Sequence, residues 1–154
     1  LFRSRKTSLE EALQQAGFKV VEFRIYESDQ LVGQLTSKYD LYKFLEQRNV
    51  NWKERVSKRL LPDDAVYSVK GHKLTVIEKK WQEVSGSVDE KLQTVGFKMR
   101  QYNRLLEDTG IELKFIYLLN DWFAKPEYAD VLDYIVESGA SWHFNKVPLS
   151  ELDL

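Results

Sequence analysis

Residues 61–82, LPDDAVYSVKGHKLTVIEKKWQ, carry the clearest structural pattern in the chain. Two runs within them, 65–69 and 73–80, are rich in the β-branched and aromatic side chains that favour strands. A short Lys-Gly-His segment separates the runs, and a glycine-containing connection of this length is typical of a hairpin turn. The sequence therefore predicts two antiparallel strands joined by a tight turn.

Polar side chains end the second predicted strand. Side chains alternate along a strand, so one face carries, in order, Leu74, Val76, Glu78, Lys80 and Gln82. The first two suit a buried core, yet the same face then ends in a carboxylate, an amine and an amide. Two carboxylates from neighbouring strands can hold Mg²⁺, and a nearby lysine would then lie beside the metal-bound water. A core-facing strand that ends in these polar groups indicates a functional site that could hold a metal ion.

The same residues resemble the signature of a known family. Pro62-Asp63, followed about fifteen residues later by Glu78-x-Lys80, is similar to the motif of the PD-(D/E)XK phosphodiesterase superfamily. The next segment, WQEVSGSVDEKL at 81–92, resembles restriction-type members, in which the Glu-x-Lys strand often runs into Gln, Ser-Gly-Ser/Thr and Glu-Lys-Leu. We expect the resemblance to cover roughly residues 60–145, with the earlier residues matching only in a general way.

The resemblance implies an α/β fold with a restriction-endonuclease-like core, in which α-helices flank a central mixed β-sheet. From residue 63 the predicted order is strand, strand, helix, strand, helix, strand, and this order alone indicates the α/β class. We expect a single nuclease domain over residues 1–154. Its catalytic core would lie at 61–146, and the N-terminal helices and hairpin at 1–60 would be a possible DNA-recognition part.

The resemblance also implies roles for individual residues. Asp63 and Glu78 would bind the Mg²⁺, for which Mn²⁺ could substitute, and Lys80 would act on the attacking water. Asp64 remains an alternative ligand, although the family places the ligand directly after the proline. In some members a glutamate from an early helix reaches the metal, so Glu10 is a further candidate, and a solvated first-turn carboxylate is the simpler explanation for it.

Two polar neighbours of this motif have open roles. Gln82 would hold the attacking water or a flanking phosphate, or it would be a structural amide. Lys79 faces away from Glu78 by alternation, which favours a surface position or a salt bridge.

Basic residues precede the hairpin. Residues 52–61 are predicted to be a helix that leads directly into the Asp63 strand, so its cations would lie near the scissile phosphate. A solvated amphipathic helix explains the same residues. The candidate DNA-binding residues are Lys53, Arg55, Lys58, Arg59 and, further along the chain, Lys91.

The remaining pattern predicts regular elements throughout. Ser8 has the position of an N-cap, with Glu11 three residues on, and Ser87 has the same spacing to Glu90. From Pro148 onward the chain is expected to be a frayed tail. The predicted helices are 9–16, 38–48, 52–61, 88–108 and 127–138; the predicted strands, besides the hairpin, are 18–26, 31–35, 111–119 and 141–145.

Composition limits the possible classes of protein. The 154 residues include no cysteine, which excludes disulfides, thiol catalysis and cysteine-ligated zinc and fits a cytoplasmic location. No apolar run approaches the roughly 20 residues that span a bilayer, so no membrane partner is expected. The net charge is −1, but Lys and Arg exceed Asp and Glu in residues 1–60, and the reverse holds in 105–154. Such a distribution presents a positive face to phosphate, or is merely an uneven solvated surface.

The resemblance implies an endonuclease that uses Mg²⁺ to hydrolyse double-stranded DNA to 5′-phosphate and 3′-hydroxyl ends. It would be most like a small type II restriction enzyme, with a cognate DNA methyltransferase as its genetic partner. Cutting both strands requires two sites, so we expect a homodimer, with the 18–35 hairpin and the Trp122-Phe123 loop as candidate interfaces. The alternatives are a structure-specific repair or recombination nuclease, an RNA-processing nuclease, and a non-catalytic DNA-binding module.

Overall fold

A single mixed β-sheet organises the protein in the computed structural model, which describes residues 8–154. The strands lie side by side in chain order. The first five are antiparallel neighbours, whereas the last three run parallel, because helical crossovers join them. The strands are β1 (Lys19–Val21), β2 (Arg24–Glu27), β3 (Gln30–Leu35), β4 (Asp64–Ser68), β5 (Lys73–Lys80), β6 (Glu112–Leu119) and β7 (Ser141–Phe144).

Helices cover both faces of this sheet, which confirms the predicted α/β class. The first face, which carries Leu74 and Val76, packs against α2, α4 and α5. The second face, which carries Val66 and Ile77, packs against α1 and the segment 147–154. None of the helices within residues 8–154 has the length and apolar character needed to cross a membrane. The helices are α1 (Leu9–Gln15), α2 (Asp40–Glu46), α3 (Val88–Lys91), α4 (Val95–Leu106) and α5 (Ala129–Glu137).

The predicted strand at 18–26 is in fact two strands. Glu22 and Phe23 have φ angles of 48° and 69° and form the tight turn between β1 and β2. Positive φ at both central residues is what a two-residue hairpin turn requires. The alternation of apolar residues continues through this turn without glycine or asparagine, so the sequence offered no signal for it.

The predicted helix at 52–61 is wrong beyond its first turn. Only Trp52–Glu54 is helical, as a single 3₁₀ turn. Tertiary contacts satisfy the backbone that follows: the Tyr42 hydroxyl donates to the Leu60 carbonyl at 2.6 Å and accepts from the Leu60 N–H at 2.5 Å. These contacts replace helical hydrogen bonds, so the basic residues lie on an irregular segment.

The helix predicted at 88–108 is interrupted by a 3₁₀ turn at Leu92–Thr94, between α3 and α4. Ser8 caps α1 as predicted, since its hydroxyl accepts from the Glu11 N–H at 3.1 Å. Ser87 does not cap α3 with its side chain. The side-chain carbonyl of Gln82 accepts from the Asp89 N–H at 3.1 Å instead.

Two segments expected on the surface are packed into the protein. The chain after Pro148 forms a 3₁₀ turn at Leu149–Leu152, and Leu152 is buried against the second face of the sheet. Phe123 is fully buried in the core beneath the first face. Both expectations were wrong because the sheet needs apolar cover on each face, which neither local pattern reveals.

Candidate active site

The acidic pair, Asp63 and Glu78, lies where the β4–β5 hairpin ends. In the ladder Asp64 is opposite Ile77, so Asp63, one residue earlier, comes beside Glu78. The Lys79 backbone N–H donates to Asp63 Oδ2 at 2.8 Å and holds this carboxylate against β5. The predicted strand alternation thus places both carboxylates on one side of the hairpin.

Glu78 is a buried carboxyl group, with 8% of its surface exposed. The Tyr102 hydroxyl of α4 donates to Glu78 Oε1 over a long distance of 3.5 Å. Burial raises the pKa of Glu78, and the neighbouring Asp63 raises it further, although Lys98 and Lys80 oppose this. The site therefore keeps a carboxylate in an environment that disfavours its charge.

Asp63 has the opposite electrostatic balance. Burial acts to raise its pKa, but hydrogen bonds from the Lys38 ammonium and the Lys79 N–H outweigh burial and lower it. The Lys38 Nζ lies 2.7 Å from Asp63 Oδ1. Asp63 therefore stays ionised beside a less acidic partner.

Lys80 lies on the same side as the acidic pair and is partly buried. Burial lowers its pKa, as does the charge of Lys98, while Glu78 and Asp63 raise it. Lys98 projects from α4 and influences both Glu78 and Lys80. Lys98 was not among the site residues predicted from the sequence.

Asp64 and Lys79 form a separate pair. Their charged atoms are 2.8 Å apart, and alternation turns both side chains away from Glu78. The prediction of a salt bridge for Lys79 is confirmed. Burial raises the pKa of Asp64, which the Lys79 ammonium opposes. Each doublet of like residues therefore supplies one member to the acidic pair's side and one to the other side.

The family of the chain follows from this arrangement together with a sequence comparison. A family model described as the PD-(D/E)XK nuclease superfamily domain matches residues 5–105, about two thirds of the chain. The chain belongs to this superfamily. The resemblance is confirmed, and the match extends over the earlier residues, which we expected to match only in a general way. A search of curated proteins and a search of solved structures each gave no match.

Nucleases of this superfamily generally use divalent metal ions, and the residues here fit such an ion. Asp63 and Glu78 offer oxygen ligands, which Mg²⁺ prefers. A cation between them would offset the cost of burying the negative charge of Glu78. No group of three or more acidic or histidine side chains forms a possible metal site in residues 8–154. Glu10 instead lines a surface cavity with Asp40 and Asp64, so it does not join the acidic pair.

Gln82 forms hydrogen bonds that hold the segment after β5 in place. Its side-chain carbonyl accepts from the Asp89 N–H, which fixes the start of α3. Its backbone carbonyl accepts from Asn120 Nδ2 at 2.6 Å, and its N–H donates to Asn120 Oδ1 at 3.3 Å. These contacts fit the structural role that the sequence left open.

The predicted DNA-binding residues are spread over different surroundings. Arg55 donates to the carbonyls of Arg104 and Glu107 at the end of α4, so its guanidinium is occupied by helix capping. Arg59 stacks over the Trp52 ring at 5.0 Å and is exposed. Lys91 is exposed on α3 and close enough to Lys80 to influence its pKa. The remaining two, Lys53 and Lys58, are exposed.

We predict that Glu78→Gln stabilises the protein in EDTA at pH 7.5 by about 1 kcal/mol, because it removes a buried charge. The pKa of Glu78 is raised in the folded state, so the protonated carboxyl group favours folding. The wild-type protein therefore loses stability as the pH rises through the folded-state pKa and Glu78 becomes charged. The gain should therefore disappear below the unfolded-state pKa of about 4.3. Thermal unfolding at pH 7.5 and pH 4 measures it. Glu112→Gln, at an exposed position, is the control and should be as stable as wild type. A Glu78→Gln variant that is less stable than wild type at pH 7.5 would contradict the prediction.

Proposed function

We propose that this chain is an endonuclease that uses Mg²⁺ to hydrolyse phosphodiester bonds of double-stranded DNA, leaving 5′-phosphate and 3′-hydroxyl ends. The supporting observation is the joint placement of Asp63, Glu78 and Lys80 on one side of the hairpin end. Membership of a nuclease superfamily supports the same reaction class.

In this proposal the acidic pair holds the metal, which when bound polarises the phosphoryl group and lowers the pKa of water. Lys80 is two residues beyond Glu78 on the same side of the strand. Its ammonium would orient the attacking water and offset the charge that develops on the phosphorus oxygens. Lys98 and Lys91, which also act on Lys80, would extend this positive surface towards the flanking phosphates.

Metal removal tests the proposal. We expect cleavage of plasmid DNA with Mg²⁺ or Mn²⁺ and complete loss of cleavage in excess EDTA, since the acidic pair binds no substrate without a counter-ion. Ca²⁺ should support DNA binding in a gel-shift assay with little cleavage. Cleavage that continues undiminished in EDTA would refute the metal mechanism.

Within the class, we propose a type II restriction enzyme that acts with a cognate DNA methyltransferase. The restriction-like segment at 81–92 supports this, since it follows the Glu-x-Lys strand directly. Discrete bands from several unrelated plasmids, abolished by methylation, would be the expected result. Preference for branched or flapped duplexes would instead favour a repair or recombination nuclease, and binding without cleavage would favour a DNA-binding module.

We also propose a homodimer that pairs through the β1–β3 edge of the sheet. Val21, Phe23 and Leu31 are each more than two fifths exposed there. The Trp122-Phe123 loop is no longer a candidate, because Phe123 is buried. Large apolar side chains exposed on one edge of a sheet can form an interface, and a two-fold dimer would match a palindromic target.

Phe23→Asp should raise the Kd of this dimer by about tenfold or more, because a charge replaces an aromatic side chain that the dimer would bury. Phe97→Asp, at an exposed phenylalanine on α4, is the control and should leave the association unchanged. Sedimentation equilibrium at micromolar concentration measures both. A monomeric wild-type protein, with and without duplex DNA and Ca²⁺, would refute the dimer.

A further inference from the structure

Lys38 occupies the carboxylate that the proposed metal would use. Its Nζ lies 2.7 Å from Asp63 Oδ1, and this ion pair raises the pKa of Lys38 and lowers that of Asp63. An ammonium group at this distance uses one lone pair of that oxygen and holds a positive charge where the metal would bind. The two cations repel each other, so they compete for Asp63.

The segment that carries Lys38 is fixed to the start of β4. The Lys38 N–H donates to the Pro62 carbonyl at 2.9 Å, directly before Asp63. On the preceding residues, the Thr36 N–H donates to the Ala65 carbonyl at 2.8 Å and the Ser37 hydroxyl accepts from the Ala65 N–H at 3.2 Å. Lys38 itself has a φ of 52°, a left-handed conformation that is uncommon for lysine and is seen at constrained functional positions. The backbone therefore holds Lys38 beside Asp63.

The side chain of Lys38, in contrast, has access to solvent. It is 52% exposed, whereas that of Asp63 is 29% exposed. The ammonium can therefore leave Asp63 by side-chain rotation, without movement of the anchored backbone.

Charge balance gives the direction of this movement. Besides Lys38, the site contains Lys80, Lys98 and Lys91, against the two carboxylates Asp63 and Glu78. A divalent cation on Asp63 would repel the Lys38 ammonium, and a phosphodiester would attract it.

We propose that Lys38 is a positioning residue that shields Asp63 when substrate is absent and moves to the DNA phosphate when the metal binds. This inference rests on the proposed metal-dependent function. Binding of metal and binding of DNA would then be reciprocal, because each raises the affinity for the other. The metal displaces Lys38 from Asp63 and frees it for the phosphate, and the phosphate draws Lys38 away from Asp63 and frees that carboxylate for the metal. The free protein would hold its metal weakly and the DNA complex would hold it tightly.

The test is calorimetric titration of Ca²⁺, which is read without any cleavage. We expect Lys38→Gln to bind Ca²⁺ about tenfold more tightly than wild type, since a competing cation is gone. Lys43→Gln is the matched control: it removes an exposed lysine five residues on, and its Ca²⁺ affinity should equal that of wild type. Lys38→Arg keeps the charge and should bind no more tightly than wild type. Thermal unfolding in EDTA confirms that each variant is folded.

A second titration adds a saturating 30-base-pair duplex. The duplex should increase the Ca²⁺ affinity of wild type by a larger factor than that of Lys38→Gln. If Ca²⁺ binds to wild type but not to Asp63→Asn, and Lys38→Gln binds no more tightly than wild type, the shielding role is refuted while the metal site stands. If none of these proteins binds Ca²⁺ with or without the duplex, the shielding role and the proposed metal chemistry fall together.

Discussion

Asp63→Asn is expected to lower the rate of DNA cleavage by about a thousandfold or more, whereas Asp64→Asn should remain within about threefold of wild type. Asp63 faces Glu78 across the end of the hairpin and is held there by the Lys79 N–H. Loss of its charge would remove one of two proposed metal ligands. Asp64 is ion-paired with Lys79, and its side chain points away from Glu78.

Single-turnover cleavage of a plasmid at saturating Mg²⁺ measures both variants, with thermal unfolding as the check that each is folded. The paired substitution is informative because it changes the same chemical group at adjacent positions. A large loss in Asp64→Asn together with an active Asp63→Asn would exchange the two roles and refute the assignment.

Lys80→Met should reduce cleavage by a similar factor, about a thousandfold, while Lys79→Met stays near wild type in rate. Methionine keeps an unbranched side chain that is one atom shorter, but it cannot carry the positive charge that would meet the phosphate. Lys79→Met loses the ion pair with Asp64, so its cost should appear in unfolding and not in cleavage.

DNA binding in Ca²⁺, measured by fluorescence anisotropy, separates binding from chemistry. Lys80→Met should bind DNA within a few-fold of wild type, because several other lysines contribute to the positive surface. Equal loss of binding and of rate would instead show that Lys80 serves only to attract DNA. An essential Lys79 beside a dispensable Lys80 would contradict the strand register itself.

The hairpin and the side of it that carries Asp63, Glu78 and Lys80 could be predicted from sequence because strand alternation is a matter of local geometry. The class of fold followed from the order of elements for a similar reason. These predictions needed only the neighbours of each residue along the chain. The α1 cap at Ser8, confirmed by its bond to Glu11, is of the same local kind.

The missed features depend on contacts between distant parts of the chain. Lys38 lies 25 positions before Asp63 in the sequence and donates a hydrogen bond to it. Lys98, on α4, acts to lower the pKa of Glu78. The basic segment at 52–61 shows the same limit. Its pattern suits a helix, but two hydrogen bonds override the local preference. One joins Leu60 to the Tyr42 hydroxyl, and the other joins Arg55 to the carbonyl of Glu107 at the end of α4.

The two doublets of the hairpin also bear on how this protein can vary. Asp63 and Asp64 are encoded by adjacent codons, as are Lys79 and Lys80, yet the members of each doublet face opposite sides of one sheet. A change at 64 or 79 would alter folding stability, and a change at 63 or 80 would alter the proposed chemistry. If the proposed chemistry holds, selection would act separately on neighbouring codons, and the hairpin could vary in stability while its proposed reactive side stayed constant.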